Sequence, residues 1–150
     1  MKEEFVIRGQ TVQDSSGLGQ EKLSFSGHKE GYAYKLVEFR IFPSTSLLSQ
    51  SIEMCATLTA GKTAIDPDSP NFKDDALIGS VLMKNDNSQG NAGYQESIVN
   101  DTFLITQDLI LAVKDTFATP VNWQCRFEAV KMTKSEAAVT NYKQFMISDE

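Results

Sequence analysis

The chain reads as an all-β protein: an antiparallel β-sandwich or jelly roll of about eight strands, closed by one short C-terminal helix. Three observations lead there. Val121–Met132 (VNWQCRFEAVKM) alternates, with Trp123, Cys125, Phe127 and Ala129 on one face and Gln124, Arg126 and Glu128 on the other. A period of two is a strand with one wet face. Short apolar-alternating runs of the same kind recur along the chain, separated by loops and not by helices, which favours sheet packed on sheet over an α/β fold. Then the period changes: Thr133 stands three residues before Glu136, a capping box, and Val139, Tyr142 and Met146 recur at helical spacing. The expected organisation is one β-sandwich domain over 1–150 with a helix over 133–147.

The elements follow in order. Glu4–Val12 alternates as a first strand, and Gln13–Gln20, dense in Ser and Gly, is a loop. Lys22–Gly27 is a short strand with Leu23 and Phe25 on one side, and His28–Gly31 is a turn. Tyr34–Phe42 places Val37, Phe39 and Ile41 on one face, and Pro43, which has no amide to donate, ends it. Ser44–Gln50 fits either a helical turn or a bent strand. Ile52–Thr59 turns Ile52, Met54, Ala56 and Leu58 inward. Ala60–Asp75 is a long connection, Ala76–Met83 an apolar strand, and Lys84–Gly93 a polar loop. Glu96–Ile105 and Leu109–Lys114 are two further strands, the second with Leu109, Leu111 and Val113 on one face, and Asp115–Pro120 is a loop. The expected core includes Phe39, Ile41, Met54, Leu58, Leu111, Trp123 and Phe127.

Composition bounds the function. With 150 residues, 41% hydrophobic and 23% charged, the chain is long enough for a real core. A net charge of -6 with scattered basic residues argues against a phosphate-binding surface, so no nucleic-acid partner is expected. No apolar run approaches the ~18 residues of a membrane helix, so no membrane association is expected. The opening MKEEFVIRGQ is acidic where a signal peptide needs an apolar core, so no signal peptide is expected. Cys55 and Cys125 sit in apolar strands and read as buried thiols, not a disulfide framework.

Candidate chemistry is sparse. His28 is the lone histidine and sits in a glycine-flanked turn, which reads as a solvated ring and removes the usual nucleophile–base pairs and zinc sets. Asn85, Asn87, Gln89, Gly90 and Glu96 have the spacing of a calcium loop, but three amides and one carboxylate are a poor set for a hard cation, and the flanks are strands. Asp66, Asp68, Asp74 and Asp75 read as turn formers around proline. Gly17 and Gly19 lack the third glycine and the following helix of a dinucleotide loop. No catalytic, cofactor-binding or metal-ligating residue is assigned, and no enzyme and no cofactor are expected. Tyr32, Tyr34, Tyr94 and Phe117 lie near loops; two or three coplanar exposed rings beside polar side chains would mark a small ligand-binding sandwich for carbohydrate.

Two segments, Pro70–Met83 (PNFKDDALIGSVLM) and Ile105–Tyr142, resemble small uncharacterised virion structural proteins of marine bacterial viruses. The resemblance covers about a third of the chain and brings no site residues. It implies a capsid, cement or spike subunit that acts through assembly contacts, by self-association or with other virion proteins. It also implies a product made in the host cytoplasm and carried in the virion. Such a subunit should leave apolar surface exposed on the isolated chain.

Overall fold

The computed structural model describes residues 3–25, 31–44, 51–61, 63–85 and 93–133. They form eight strands: β1 (Glu3–Thr11), β2 (Gly19–Leu23), β3 (Tyr32–Pro43), β4 (Ile52–Ala60), β5 (Leu77–Asn85), β6 (Tyr94–Val99), β7 (Leu109–Asp115) and β8 (Val121–Lys131). A three-stranded sheet runs β1-β8-β3 and a five-stranded sheet runs β2-β7-β4-β5-β6. All pairings are antiparallel. The expected β-sandwich is present. The helix expected over 133–147 lies, apart from Thr133, outside the described residues, as do His28 and most of Ser44–Gln50.

The pairing is nested. The first strand meets the last, β2 meets β7, and β4 meets β5. One pair, β3 with β6, would complete a jelly roll. Here β6 pairs by main chain with β5 instead, and only its side chains reach β3. The Gln95 amide takes the Ile41 N–H at 3.2 Å and gives its own N–H to the Ile41 carbonyl at 2.8 Å. Ser97 Oγ donates to the Phe39 carbonyl at 2.6 Å. Further along, Tyr34 and Ile105 exchange both backbone bonds, at 3.0 and 2.7 Å. Two side chains and one bridge thus satisfy much of the β3 edge, where a neighbouring strand would otherwise be needed.

Alternation sets the core. Ile52, Met54, Ala56 and Leu58 of β4 are buried as expected, and so are Leu109, Leu111 and Val113 of β7. Trp123, Cys125 and Phe127 of β8 face the same core, while Ala129 is half-buried. All seven residues singled out as core are buried. One end is aromatic: Phe127 stacks on Phe5 at 5.5 Å and meets the edge of Phe25 at 5.0 Å. Trp123 lies over Gly9, where an added Cβ would come within 2.7 Å of the ring, and its indole N–H bonds Thr11 Oγ1 at 2.9 Å.

Three expectations shift. A bulge between Leu36 and Glu38 changes the phase of β3, so Leu36 is buried and Val37, expected inward, is only half-buried. The strand expected over Glu96–Ile105 stops at Val99, because Asn100 Oδ1 accepts from Thr102 N at 3.2 Å and turns the chain. The strand expected from Lys22 begins at Gly19; Gly17, with φ +85°, makes the sharp turn that admits it.

Candidate interaction site on the outer face of the five-stranded sheet

The two sheets present different outer faces. That of the three-stranded sheet is mostly polar and cross-linked, with Val6 and Phe42 exposed among the polar groups: Gln10 bonds Asn122 at 2.8 Å, Arg8 bonds Gln124 at 3.0 Å, and Arg126 approaches Glu4 at 4.0 Å. The outer face of the five-stranded sheet is divided. Over β4 and β7 lies the connection between β4 and β5. Thr57 Oγ1 donates to the Ile65 carbonyl at 2.6 Å, and the Ala60 N–H donates to Ala76 at 2.8 Å. Lys114 anchors the same segment through Asp66 at 2.9 Å and Asp68 at 3.1 Å. That cover is why Thr57 and Thr59, on the side expected to be wet, are fully buried.

Toward β5 and β6, the outward side chains of the described residues are exposed or half-buried. Register sets the rows: Lys84 opposite Tyr94, Leu82 opposite Glu96, Ser80 opposite Ile98. Leu82 is 42% exposed, and Tyr94 and Ile98 are each 56% exposed. Between the loop and Tyr94 runs an open groove of about 540 Å³. Pro67, Asp68 and Pro70 form one wall, Cys55 and Leu82 the floor, and Tyr94 the other wall. Lys84 and Glu53, 3.3 Å apart, stand at one end. A second cavity, of about 570 Å³ beside β2, is lined by polar groups such as Gln20, Gln107 and the Lys22–Asp108 ion pair.

The perturbed groups of this face are Cys55 and the Asp66–Lys114 pair. Burial first, and then the Asp68 charge, push the Cys55 thiol up to about 11, so it is protonated near neutral pH and a poor nucleophile. Burial drives the Cys125 thiol further up. Both cysteines are free. Hydrogen bonding to Lys114, the largest cause, holds the Asp66 carboxyl below the usual carboxylate range, and the same contact raises Lys114.

The residues weighed from sequence are dispersed. Asp66 and Asp68 turn to Lys114, while Asp74 Oδ1 accepts from Ala76 N at 3.0 Å. Asn85 closes β5 and Glu96 lies on the exposed face of β6; residues 86–92 between them lie outside the described residues. Among the described residues no three His, Cys, Asp or Glu side chains gather as metal ligands. Tyr34 packs on Phe5 and Phe25, Tyr32 is half-buried, and Phe117 stands exposed at the β7–β8 turn. Tyr94 is the ring that lines the groove. Sequence reading missed Leu82, Glu96 and Ile98 as a surface. The alternation of Tyr94, Glu96 and Ile98 was a signal for one outward face, but which face of a strand stays bare depends on what covers it.

No family model matches the chain, and no curated protein matches it. Solved structures that align with it include a lectin from Bauhinia forficata in complex with GalNAc. The two are 9% identical, and the alignment covers 89% of this chain and 100% of that one. Its TM-score of 0.22 is too low to carry an argument.

Proposed function

We propose that this chain is a structural subunit that works by association with other protein subunits, of its own kind or of a shared particle. The setting is the one the resemblance implies, a capsid, cement or spike component of a virion. The observation that supports the reading is the set of exposed apolar side chains Leu82 on β5 and Tyr94 and Ile98 on the terminal strand β6. Contiguous exposed apolar surface on a folded domain marks a place where another molecule sits. The contrast within the molecule supports it too. On the other sheet the exposed apolar side chains, Val6 and Phe42, stand singly among polar pairs, half of this face is roofed by a loop, and the remaining half sets Leu82, Tyr94 and Ile98 on two neighbouring strands.

A saccharide module is the competing reading. It calls for two or three coplanar exposed rings, and the groove offers Tyr94. The decisive experiment is light scattering with negative-stain microscopy on the purified protein, beside the double variant Leu82→Lys, Ile98→Lys. Discrete multimers that the double variant dissolves are expected. A strict monomer at ~100 μM, enough to populate micromolar complexes, together with a specific signal on a glycan array, would overturn association in favour of the binding module.

A further inference from the structure

The last strand of the five-stranded sheet has a chemistry that selects its partner. Four strands lie at sheet edges: β1 and β3, β2 and β6. The β3 edge is closed by Gln95, Ser97 and Ile105. On β2, Glu21 accepts from Thr11 and Lys22 pairs with Asp108 at 3.1 Å. β1 and β6 each pair on one side only among the described residues; on β1, Arg8 and Gln10 are tied to Gln124 and Asn122 of β8, whereas on β6 Tyr94, Glu96, Ser97 and Ile98 are all exposed. An edge of this kind is a template for one more strand.

What that strand must carry follows from register. Tyr94, Glu96 and Ile98 share the outer face at two-residue intervals. An added antiparallel strand sets one residue opposite each, with Cβ atoms about 5 Å apart. Apolar groups belong opposite Tyr94 and Ile98, and a cation opposite Glu96. The nearest cation on the sheet, Lys84, is turned to Glu53. A second copy of β6 does not meet these needs. The two-fold register that sets Tyr94 against Ile98 also sets Glu96 against Glu96, two like charges face to face. Sliding by two residues sets Ile98 against Glu96.

We propose that β6 is the docking edge for an extended segment of a different protein, with the face pattern apolar, Lys or Arg, apolar at alternate positions. Glu96 is its specificity residue and its guard against self-pairing. This rests on the association reading and names the partner's chemistry.

The test uses the full chain and two fluorescein-labelled heptapeptides, Thr-Val-Thr-Lys-Thr-Val-Thr and the same peptide with Glu in place of Lys. Binding is read by anisotropy and by amide shifts along Tyr94–Val99. The protein should prefer the Lys peptide by at least about fivefold in Kd, and Glu96→Lys should reverse the preference. Glu96→Val should add self-pairing at this edge, read as a larger oligomer than the parent's and as new shifts at Tyr94 and Ile98. No binding tighter than ~1 mM, or a preference that Glu96→Lys leaves unreversed, overturns the proposal. Multimers that form in the same samples without any peptide preference overturn the edge assignment while leaving association standing.

Discussion

Gln95→Leu should cost this fold about 2–3 kcal/mol, although Gln95 belongs to no catalytic or binding set. The side chain makes a donor and an acceptor contact with one residue, at 2.8 and 3.2 Å to Ile41. Leucine is close in size and removes both. Each lost bond is worth about 0.5–1.5 kcal/mol net, and a buried group left unpaired costs about 1–3 kcal/mol. Ile41 is 2% exposed, so its amide and carbonyl lie near the upper part of that range. Gln95 itself is half-buried, which lets water repair some of the loss, and the leucine returns some apolar contact. Urea unfolding followed by the single tryptophan, Trp123, reads the difference directly. At about 2–4 °C per kcal/mol for a chain of this size, the melting temperature should fall by about 5–10 °C. Gln95→Glu keeps the acceptor for the Ile41 N–H and loses the donor, so it should fall between. A second readout separates edge closure from simple loss of stability: below its melting point, Gln95→Leu should scatter light in a concentration-dependent way because the β3 edge is open. A Gln95→Leu protein within about 0.5 kcal/mol of the parent would refute the idea that this side chain stands in for a strand.

Other outcomes follow from the core and the loop. Phe127→Ala, at a fully buried ring packed on Phe5 and Phe25, should cost about 3–5 kcal/mol in the same urea assay. Gly9→Ala should cost about 1–3 kcal/mol by overpacking, because the added carbon meets a Trp123 ring that its bond to Thr11 holds in place; a neutral effect would mean the ring yields. For the Asp66–Lys114 pair the sign runs both ways. The lowered Asp66 gives stability that is present above its unfolded value of 3.8 and lost as pH falls through the lower folded value. The raised Lys114 gives stability that is present below 10.5 and lost as pH rises through its higher folded value. The pair is partly exposed, so the effect is under about 1 kcal/mol. The sharper test is a carboxyl-carbon NMR titration, in which Lys114→Met should raise Asp66 toward its ordinary range, the hydrogen bonds from Asp68 still holding it down in part.

The strands were legible because one face of most of them is buried and the other wet. Ile52, Met54, Ala56 and Leu58 alternate in sequence as they do in space, and so do Trp123, Cys125 and Phe127. What escaped were places where a non-local partner overrides the local pattern. Thr57 and Thr59 look solvent-facing, and are buried because the connection that leaves β4 folds back across them. Val37 looks inward, and a one-residue bulge against β8 hands its place to Leu36. The run from Glu96 looks continuous to Ile105, yet it breaks at Asn100, after which Ile105 meets Tyr34 instead. The candidate surface is of the same kind. Leu82 and Ile98 read as ordinary strand residues, and only the limits of the loop cover distinguish them from the outward Thr57 and Thr59.

The nested pairing of strands also decides the order in which the molecule can be made. Gln10 reaches Asn122 across 112 residues, while β4 and β5 are joined by one connection. Closing a large loop costs entropy before any contact repays it. The pair β5 with β6, joined by the shortest connection of any paired strands, therefore has the shortest search, and the inner pair β4 with β5 comes next. β7 adds beside β4, β2 follows on β7, and β1 with β8 close last. Such a route is slow by nature, since the pairings that finish it are the most distant in sequence. Until β8 arrives, β1 and β3 have no neighbour in their sheet, and the face that will carry Phe127 and Trp123 does not exist. A chain stalled at that stage would display one finished sheet with its inner side open. Damage late in the sequence should therefore yield aggregates of half-built sandwich more readily than soluble fragments.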